Sequence, residues 1–212
     1  MNIYGHFFSA PSNKVRYCAN ALGFEFTYHH VDLQKGEQQH PDFLNINQLG
    51  KIPAIEDDGF MLSESDAICR YLANKAGKLY PDDLHARGRI DRWMDISAQT
   101  VLLQMSKILF NRFFAPMLGI EPNQTSIKEG QNNLTTILPH INNQLLQSKY
   151  LAGDEMSIAD ISMLAAVDPF DMIEVDLSEY PAITKWRQDL MQQKFYQDVH
   201  PHFASEMDLG KP

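Results

Sequence analysis

The chain has 212 residues, 44% of them hydrophobic, which is enough for one large domain or two small ones with a real core. Its formal charge of −9 speaks against nucleic acid as a bulk partner and against an anionic membrane surface, since both need a basic face. No apolar run approaches the ~18 residues that span a bilayer, and two cysteines make no disulfide framework.

Residues 2–5 and 25–31 read as strands, the second from the β-formers Phe24, Phe26, Tyr28 and Val31. Between them Val15, Cys18, Ala19 and Leu22 recur at helical spacing and stop at Gly23. Ala54-Ile55-Glu56 and Phe60-Met61-Leu62 flank Asp57-Asp58-Gly59 as a hairpin. A helix marked by Ala67, Ile68, Tyr71, Leu72 and Ala76 starts at Ser65. The order is that of a small α/β layer over residues 1–76, with residues 77–84 as a linker. Residues 85–205 are helical in pattern. Ile90, Met94, Ala98, Val101, Met105 and Ile108 predict a long helix to about Phe114, ended by Pro116 and Gly119. Leu134, Ile137, Leu138, Ile141 and Leu145 predict a second, kinked at Pro139. Ser157 opens a third, and Trp186 and Leu190 mark a fourth.

The densest signal is Asn47-Gln48-Leu49-Gly50-Lys51-Ile52-Pro53-Ala54-Ile55, followed by Glu64-Ser65-Asp66-Ala67-Ile68. X-Pro bonds are where cis turns occur. A cis Ile52–Pro53 bond would turn the backbone of Ile52 outward, free to pair with a peptide as an added strand does. The helix start at Ser65 offers unpaired N–H groups to a carboxylate, and Glu64 offers a partner for an amine. Glutathione combines a peptide-like middle, a carboxylate, an ammonium and a thiol.

Taken with Ile3-Tyr4-Gly5, the loop Ser9-Ala10-Pro11-Ser12-Asn13-Lys14-Val15 and Ser157-Ile158-Ala159-Asp160, this pattern resembles the cytosolic glutathione S-transferase family over almost the whole chain. The loop is most like its serine-type branches, theta, delta and bacterial. The resemblance implies an N-terminal thioredoxin-like α/β domain and a C-terminal all-helical domain. It also implies a homodimer in the cytoplasm that conjugates glutathione to small apolar electrophiles. The opening residues show no signal-peptide pattern, in keeping with that compartment. Isomerase, disulfide reductase or dehalogenase chemistry on the same fold, or a relative that only binds ligands or proteins, are the alternatives.

By this resemblance the Ser9 hydroxyl donates to the sulfur of glutathione. The residues alone leave a second role open, that of a plain cap on the following helix with Pro11 in its first turn. Ser12 and Asn13 compete for the thiol partner, and Tyr4 reads as a packing residue inside the first strand. Ile52, Pro53, Glu64 and Ser65 match the glutathione site, Ser63-Glu64-Ser65-Asp66 also reading as a capping box without ligand. Lys51 lies toward the glycine carboxylate, with Gln38 and His40 flanking it; exposed charge is the alternative for all three. Gln48 departs from the proline found in many relatives, which alters loop stiffness. Phe8 from the loop and Phe110, Phe113, Phe114 and Met117 from the long helix stand where the family walls its electrophile site, ordinary core packing being the alternative. Cys18, on an apolar stripe 51 residues from Cys69, reads as core. The eight histidines have no metal-ligand spacing, and His140, His200 and His202 read as surface or loop residues.

Overall fold

The computed structural model describes residues 1–201 and residue 203. The described residues form two compact units, Met1–Pro81 together with residues 193–201 and 203, and Asp82–Gln192.

In the first unit β1 (Asn2–Gly5) leads to α1 (Ala10–Leu22), β2 (Thr27–His30), α2 (Pro41–Ile46), β3 (Ala54–Asp57), β4 (Phe60–Ser63) and α3 (Ser65–Ala76). The sheet order is β2-β1-β3-β4, with β1 and β2 parallel and the other pairs antiparallel. This is the thioredoxin-like α/β layer. The second strand is shorter than residues 25–31 because pairing with β1 covers only Thr27–His30. Helix α1 stops where Gly23 takes φ 80°, a conformation costly for residues with a Cβ, and returns its N–H to Ala19 and Asn20. The hairpin closes through Asp58 and Gly59, both at positive φ, as a two-residue turn between right-twisted strands requires. Helices α1 and α3 pack together, and Ile3, Val15, Cys18, Ala19, Ile55, Ile68, Cys69 and Leu72 are fully buried.

Residues 193–201 and 203 belong to this unit and not to the helical domain expected over 85–205; residues 202, 204 and 205 of that range lie outside the described residues. Helix α10 (Lys194–Gln197) lies against α1, and Asn20 Nδ2 donates to the Phe195 carbonyl at 3.1 Å. Tyr17 and Tyr196 are fully buried, and the Tyr17 hydroxyl meets His200 Nε2 at 2.5 Å. His200 is therefore a buried loop residue, 3% exposed: of its surface-or-loop reading, the loop stands and the surface does not. An imidazole ringed by Tyr17, Tyr196 and Phe203 buries its carbon edge against aromatics while a nitrogen keeps a polar partner. His140 is exposed, and His202 lies outside the described residues.

The second unit is all helical. One helical run comprises α4 (Leu84–Asp95), a π-helical stretch Ile96–Leu102, α5 (Leu103–Leu109), a second π-helical stretch Phe110–Phe114 and α6 (Ala115–Met117). It starts six residues before Ile90 because Asp83 caps it, accepting from the Ala86 N–H at 2.8 Å. Pro116 sits inside the last turn, and the chain turns away at Gly119, φ 69°. Helix α7 (Gln124–Gln147) continues through Pro139, and α8 (Ile158–Val167) and α9 (Pro181–Met191) follow. Met94, Val101, Met105, Ile108, Leu134, Ile161, Leu164 and Phe170 fill the core.

Asp160 organises this unit. The Ser157 N–H donates to Asp160 Oδ2 at 3.0 Å, and the Leu151 N–H and Trp186 Nε1–H donate to Oδ1 at 3.0 and 3.1 Å. One fully buried carboxylate thus completes the expected capping box of α8 and ties the loop before it to α9. Burial holds this carboxyl above the ordinary carboxylate range, against the opposing pull of the donors.

Candidate functional site

The strand register builds one functional end of the sheet. Tyr4 pairs with Ala54 and Ala54 with Ser63, so the end of β1, the start of β3 and the end of β4 lie in one row. Just beyond that row come the loop carrying Ser9, the Ile52–Pro53 bond and the pair Glu64-Ser65. Ser9 lies 43 residues before Ile52, and Glu64 follows Pro53 by 11; antiparallel pairing brings all three groups to one end of the sheet.

Ser9 caps α1. Its Oγ accepts the Ser12 N–H at 3.2 Å, and its side chain is half-buried. The cap and the donor role are compatible, because the cap uses an oxygen lone pair and leaves the hydroxyl proton free to donate. Ser12 and Asn13, the competitors, are both fully buried. Ser12 Oγ faces the His6 N–H at 3.4 Å, so close to β1 that a Cβ on Gly5 would stand 2.6 Å from it. Asn13 Nδ2 donates to the Phe7 carbonyl at 2.8 Å, and its Oδ1 receives Arg16 at 3.1 Å. These two brace the loop from below while Ser9 stays reachable.

The Ile52–Pro53 bond is cis, with Pro53 buried and Ile52 half-buried. Its loop is held by Asn47, whose Nδ2 donates to the Lys51 carbonyl at 2.6 Å while Oδ1 accepts the Leu49 N–H at 3.1 Å. In the sequence Asn47 stands only as one residue of the motif; an Asn three residues before a glycine is the turn signal that identifies its bracing role. Lys51 is exposed, and among the described residues its ammonium has no partner. Gln48 and His40 are exposed and Gln38 is half-buried, its amide oxygen buried without a hydrogen bond.

Glu64 is the N-cap of α3 at φ 68°, ψ 108°, with no side-chain cap. The capping box read from Ser63-Glu64-Ser65-Asp66 therefore does not form. A non-glycine residue in this sparse region costs about 1–3 kcal/mol, and such strain gathers at ligand clamps. Among the described residues neither the Glu64 carboxylate nor the Ser65 hydroxyl has a partner; Glu64 is exposed and Ser65 half-buried, beside the positive end of a twelve-residue helix.

The remaining candidates divide. Phe8 is half-buried, its ring 5.5 Å from His6. Phe113 and Phe114 are half-buried, whereas Phe110 and Met117 are 43% and 62% exposed, so the latter two are not core packing. Tyr4 stacks on His29 with ring centroids 4.7 Å apart and lies on the sheet face away from Ile3. Cys18 and Cys69 are both fully buried free thiols; a hydrogen bond toward Cys69 and burial push the Cys18 thiol well above its ordinary range. Among the described residues no cluster of His, Cys, Asp or Glu has metal-binding geometry. No helix among them is long and apolar enough to cross a membrane.

Comparison with known proteins gives a consistent result. The family model "Glutathione S-transferase, N-terminal domain" matches residues 1–74, and "Glutathione S-transferase, C-terminal domain" matches residues 96–194. Glutathione S-transferase F10 of Arabidopsis thaliana is 34% identical over 168 residues, 77% of this chain and 78% of that protein. Glutathione S-transferase theta-2 of Rattus norvegicus is 28% identical over 193 residues, 89% of this chain and 79% of its own. The solved glutathione S-transferase-I bound with lactoylglutathione superposes with a TM-score of 0.87 at 27% identity, over 93% of this chain and 97% of its own. The plant F-type relative is the more similar of these two, and the theta-2 relative more distant. The chain belongs to the glutathione S-transferase family of enzymes.

Proposed function

We propose that this protein binds reduced glutathione and conjugates its thiolate to small apolar electrophiles, with Ser9 as the residue that stabilises the sulfur anion. The observation that carries the reading is the shared register of β1, β3 and β4, which collects Ser9, the cis-Pro53 loop and the uncommitted Glu64-Ser65 pair at one end of the sheet. A solved relative with bound lactoylglutathione supports the ligand class.

Ile52 pairs with the peptide middle, Ser65 and the α3 N-terminus receive the γ-glutamyl carboxylate, Glu64 meets the ammonium, and Lys51 reaches the glycine carboxylate. The thiol then lies against Ser9. A free thiol with a pKa of about 8.5 is only a few per cent ionised at pH 7. Making it mostly thiolate takes a shift of ~2 units, or ~2.7 kcal/mol. A hydroxyl hydrogen bond to an anion supplies roughly 1.5–3 kcal/mol, and the positive end of α1 adds up to ~1–2 kcal/mol. The thiol proton leaves to solvent and the sulfur attacks the electrophilic carbon, either expelling that carbon's leaving group as an anion to solvent or adding to an activated double bond whose carbanion takes a proton from water; no bond forms between protein and substrate. Phe8 supplies apolar surface for the electrophile on the first unit, and on the second unit Phe110 and Met117 are exposed apolar side chains with Phe113 and Phe114 half-buried beside them in sequence. The buried state of Cys18 and Cys69 favours this chemistry over dithiol exchange by the protein's own thiols.

The same reading includes a cytoplasmic homodimer. Strand β4 is a sheet edge, and its Phe60 and Met61 are 48% and 46% exposed, an apolar surface suited to a partner.

An ultraviolet difference titration with glutathione near pH 7 tests the site. Saturable thiolate absorption in the native protein that disappears in Ser9→Ala supports it. Binding without a thiolate signal favours a carrier, and no binding removes the reading.

A further inference from the structure

Arg16 is 8% exposed, and among the described residues it forms no ion pair. Its guanidinium carbon stands 4.4 Å from the Tyr28 ring centroid and 5.5 Å from that of Phe7. One N–H donates to Asn13 Oδ1 at 3.1 Å, and Nε is buried without a hydrogen bond. A buried charge with no counter-ion is costly. Aromatic faces offset part of that cost and leave the charge uncancelled.

Ser9, Asn13 and Arg16 fall at i, i+4 and i+7, on one face of α1. Asn13 joins the three. Its backbone N–H donates to the Ser9 carbonyl at 2.9 Å and its Nδ2 to the Phe7 carbonyl at 2.8 Å, while its Oδ1 accepts from Arg16. We propose that Arg16 is a positioning residue whose uncancelled charge, held beneath the Ser9 loop through Asn13, favours the thiolate form of glutathione. The inference rests on the glutathione reading of Ser9. The other charged groups around the loop do not replace it. Lys14 is paired with Asp66 and Lys35 with Asp32, His30 is exposed, and burial holds the His6 imidazole below its ordinary value, so it is uncharged at pH 7. The Arg16 guanidinium stays charged at every working pH. A unit charge on the order of 10 Å from the sulfur, at an effective dielectric of about 20, lowers a thiol pKa by about one unit.

The test is an ultraviolet titration of bound reduced glutathione across pH in native protein, Arg16→Gln and Arg16→Lys, with a urea midpoint for each. Calorimetric titration of S-methylglutathione, which has no ionisable sulfur, runs beside it. Arg16→Met replaces Arg16→Gln if the latter does not fold. Arg16→Gln is expected to raise the pKa of the bound thiol by about one unit while binding S-methylglutathione within about twofold of native. Arg16→Lys keeps the charge and loses the planar fork, so its bound thiol stays within about half a unit of native even where its midpoint falls. A purely structural brace gives another pattern, in which the thiol pKa follows the midpoint in both variants and S-methylglutathione weakens with it. That pattern overturns the inference, as does an unchanged thiol pKa in Arg16→Gln beside a native protein that ionises the thiol. Native protein that binds glutathione without a thiolate signal, or does not bind it, removes the Ser9 reading along with this one.

Discussion

Ser9 Oγ accepts the Ser12 N–H at 3.2 Å, so the residue proposed to hold the thiolate also holds the start of α1. Two effects of Ser9→Ala separate accordingly. Loss of the cap lowers stability by about 0.5–2 kcal/mol. Loss of a hydrogen bond to a charged sulfur lowers kcat/KM about 10- to 100-fold and raises the thiol pKa of bound glutathione. Rates measured across pH read the second effect, and a denaturant midpoint reads the first. Ser12→Ala disturbs folding without removing the thiolate signal, because its side chain is buried under the loop.

Glu64 holds φ 68° without a side-chain cap. Glycine adopts that conformation freely, at the cost of extra freedom in the unfolded chain. Glu64→Gly is expected to unfold at a denaturant concentration equal to or above that of the native protein while its KM for glutathione rises. Unchanged KM in Glu64→Gly and Glu64→Ala alike would remove Glu64 from the ligand site.

Asp160→Ala leaves the N–H groups of Leu151, Ser157 and Trp186 without their acceptor inside the helical unit. At about 1–3 kcal/mol for each buried donor left unpaired, the loss amounts to roughly 3 kcal/mol or more. Thermal melting is expected to show a drop of several degrees, with the thiolate signal intact in the protein that remains folded. An unchanged melting temperature would refute this role.

Burial and then the neighbouring His30 hold the His6 imidazole below its ordinary value of 6.5, with Asp32 opposing. Between the lowered folded pKa and the higher unfolded one, the unfolded chain binds more protons. His6 therefore contributes stability that is fully present above about pH 6.5 and is lost as pH falls through the folded pKa. Urea midpoints from pH 7.5 down to 5.5 should decline more gently in His6→Gln than in the native protein; parallel declines would rule His6 out.

Phe60→Glu places a charge on the open edge of β4. If that edge forms the homodimer, sedimentation shows the native protein at twice the monomer mass and the variant at one. A native monomer would assign the exposed Phe60 and Met61 no such partner.

Local chemistry alone determined much of this protein. Gly23 ends α1, Asp58-Gly59 closes the hairpin and Ser157 opens α8, because caps and turns depend on a few neighbouring residues. The cis-Pro53 loop and the Glu64-Ser65 helix start were legible for the same reason. Tertiary structure decided what depends on distant partners. Ser12 and Ser9 carry the same hydroxyl, yet packing against Gly5 buries one and leaves the other reachable. His200 follows the last helix in sequence, yet Tyr17 and Tyr196 draw it into the core of the first unit. The Lys14–Asp66 pair spans 52 residues, and only the packing of α1 on α3 joins it. Burial and long-range charge are properties of the assembled fold, and no spacing along the chain encodes them.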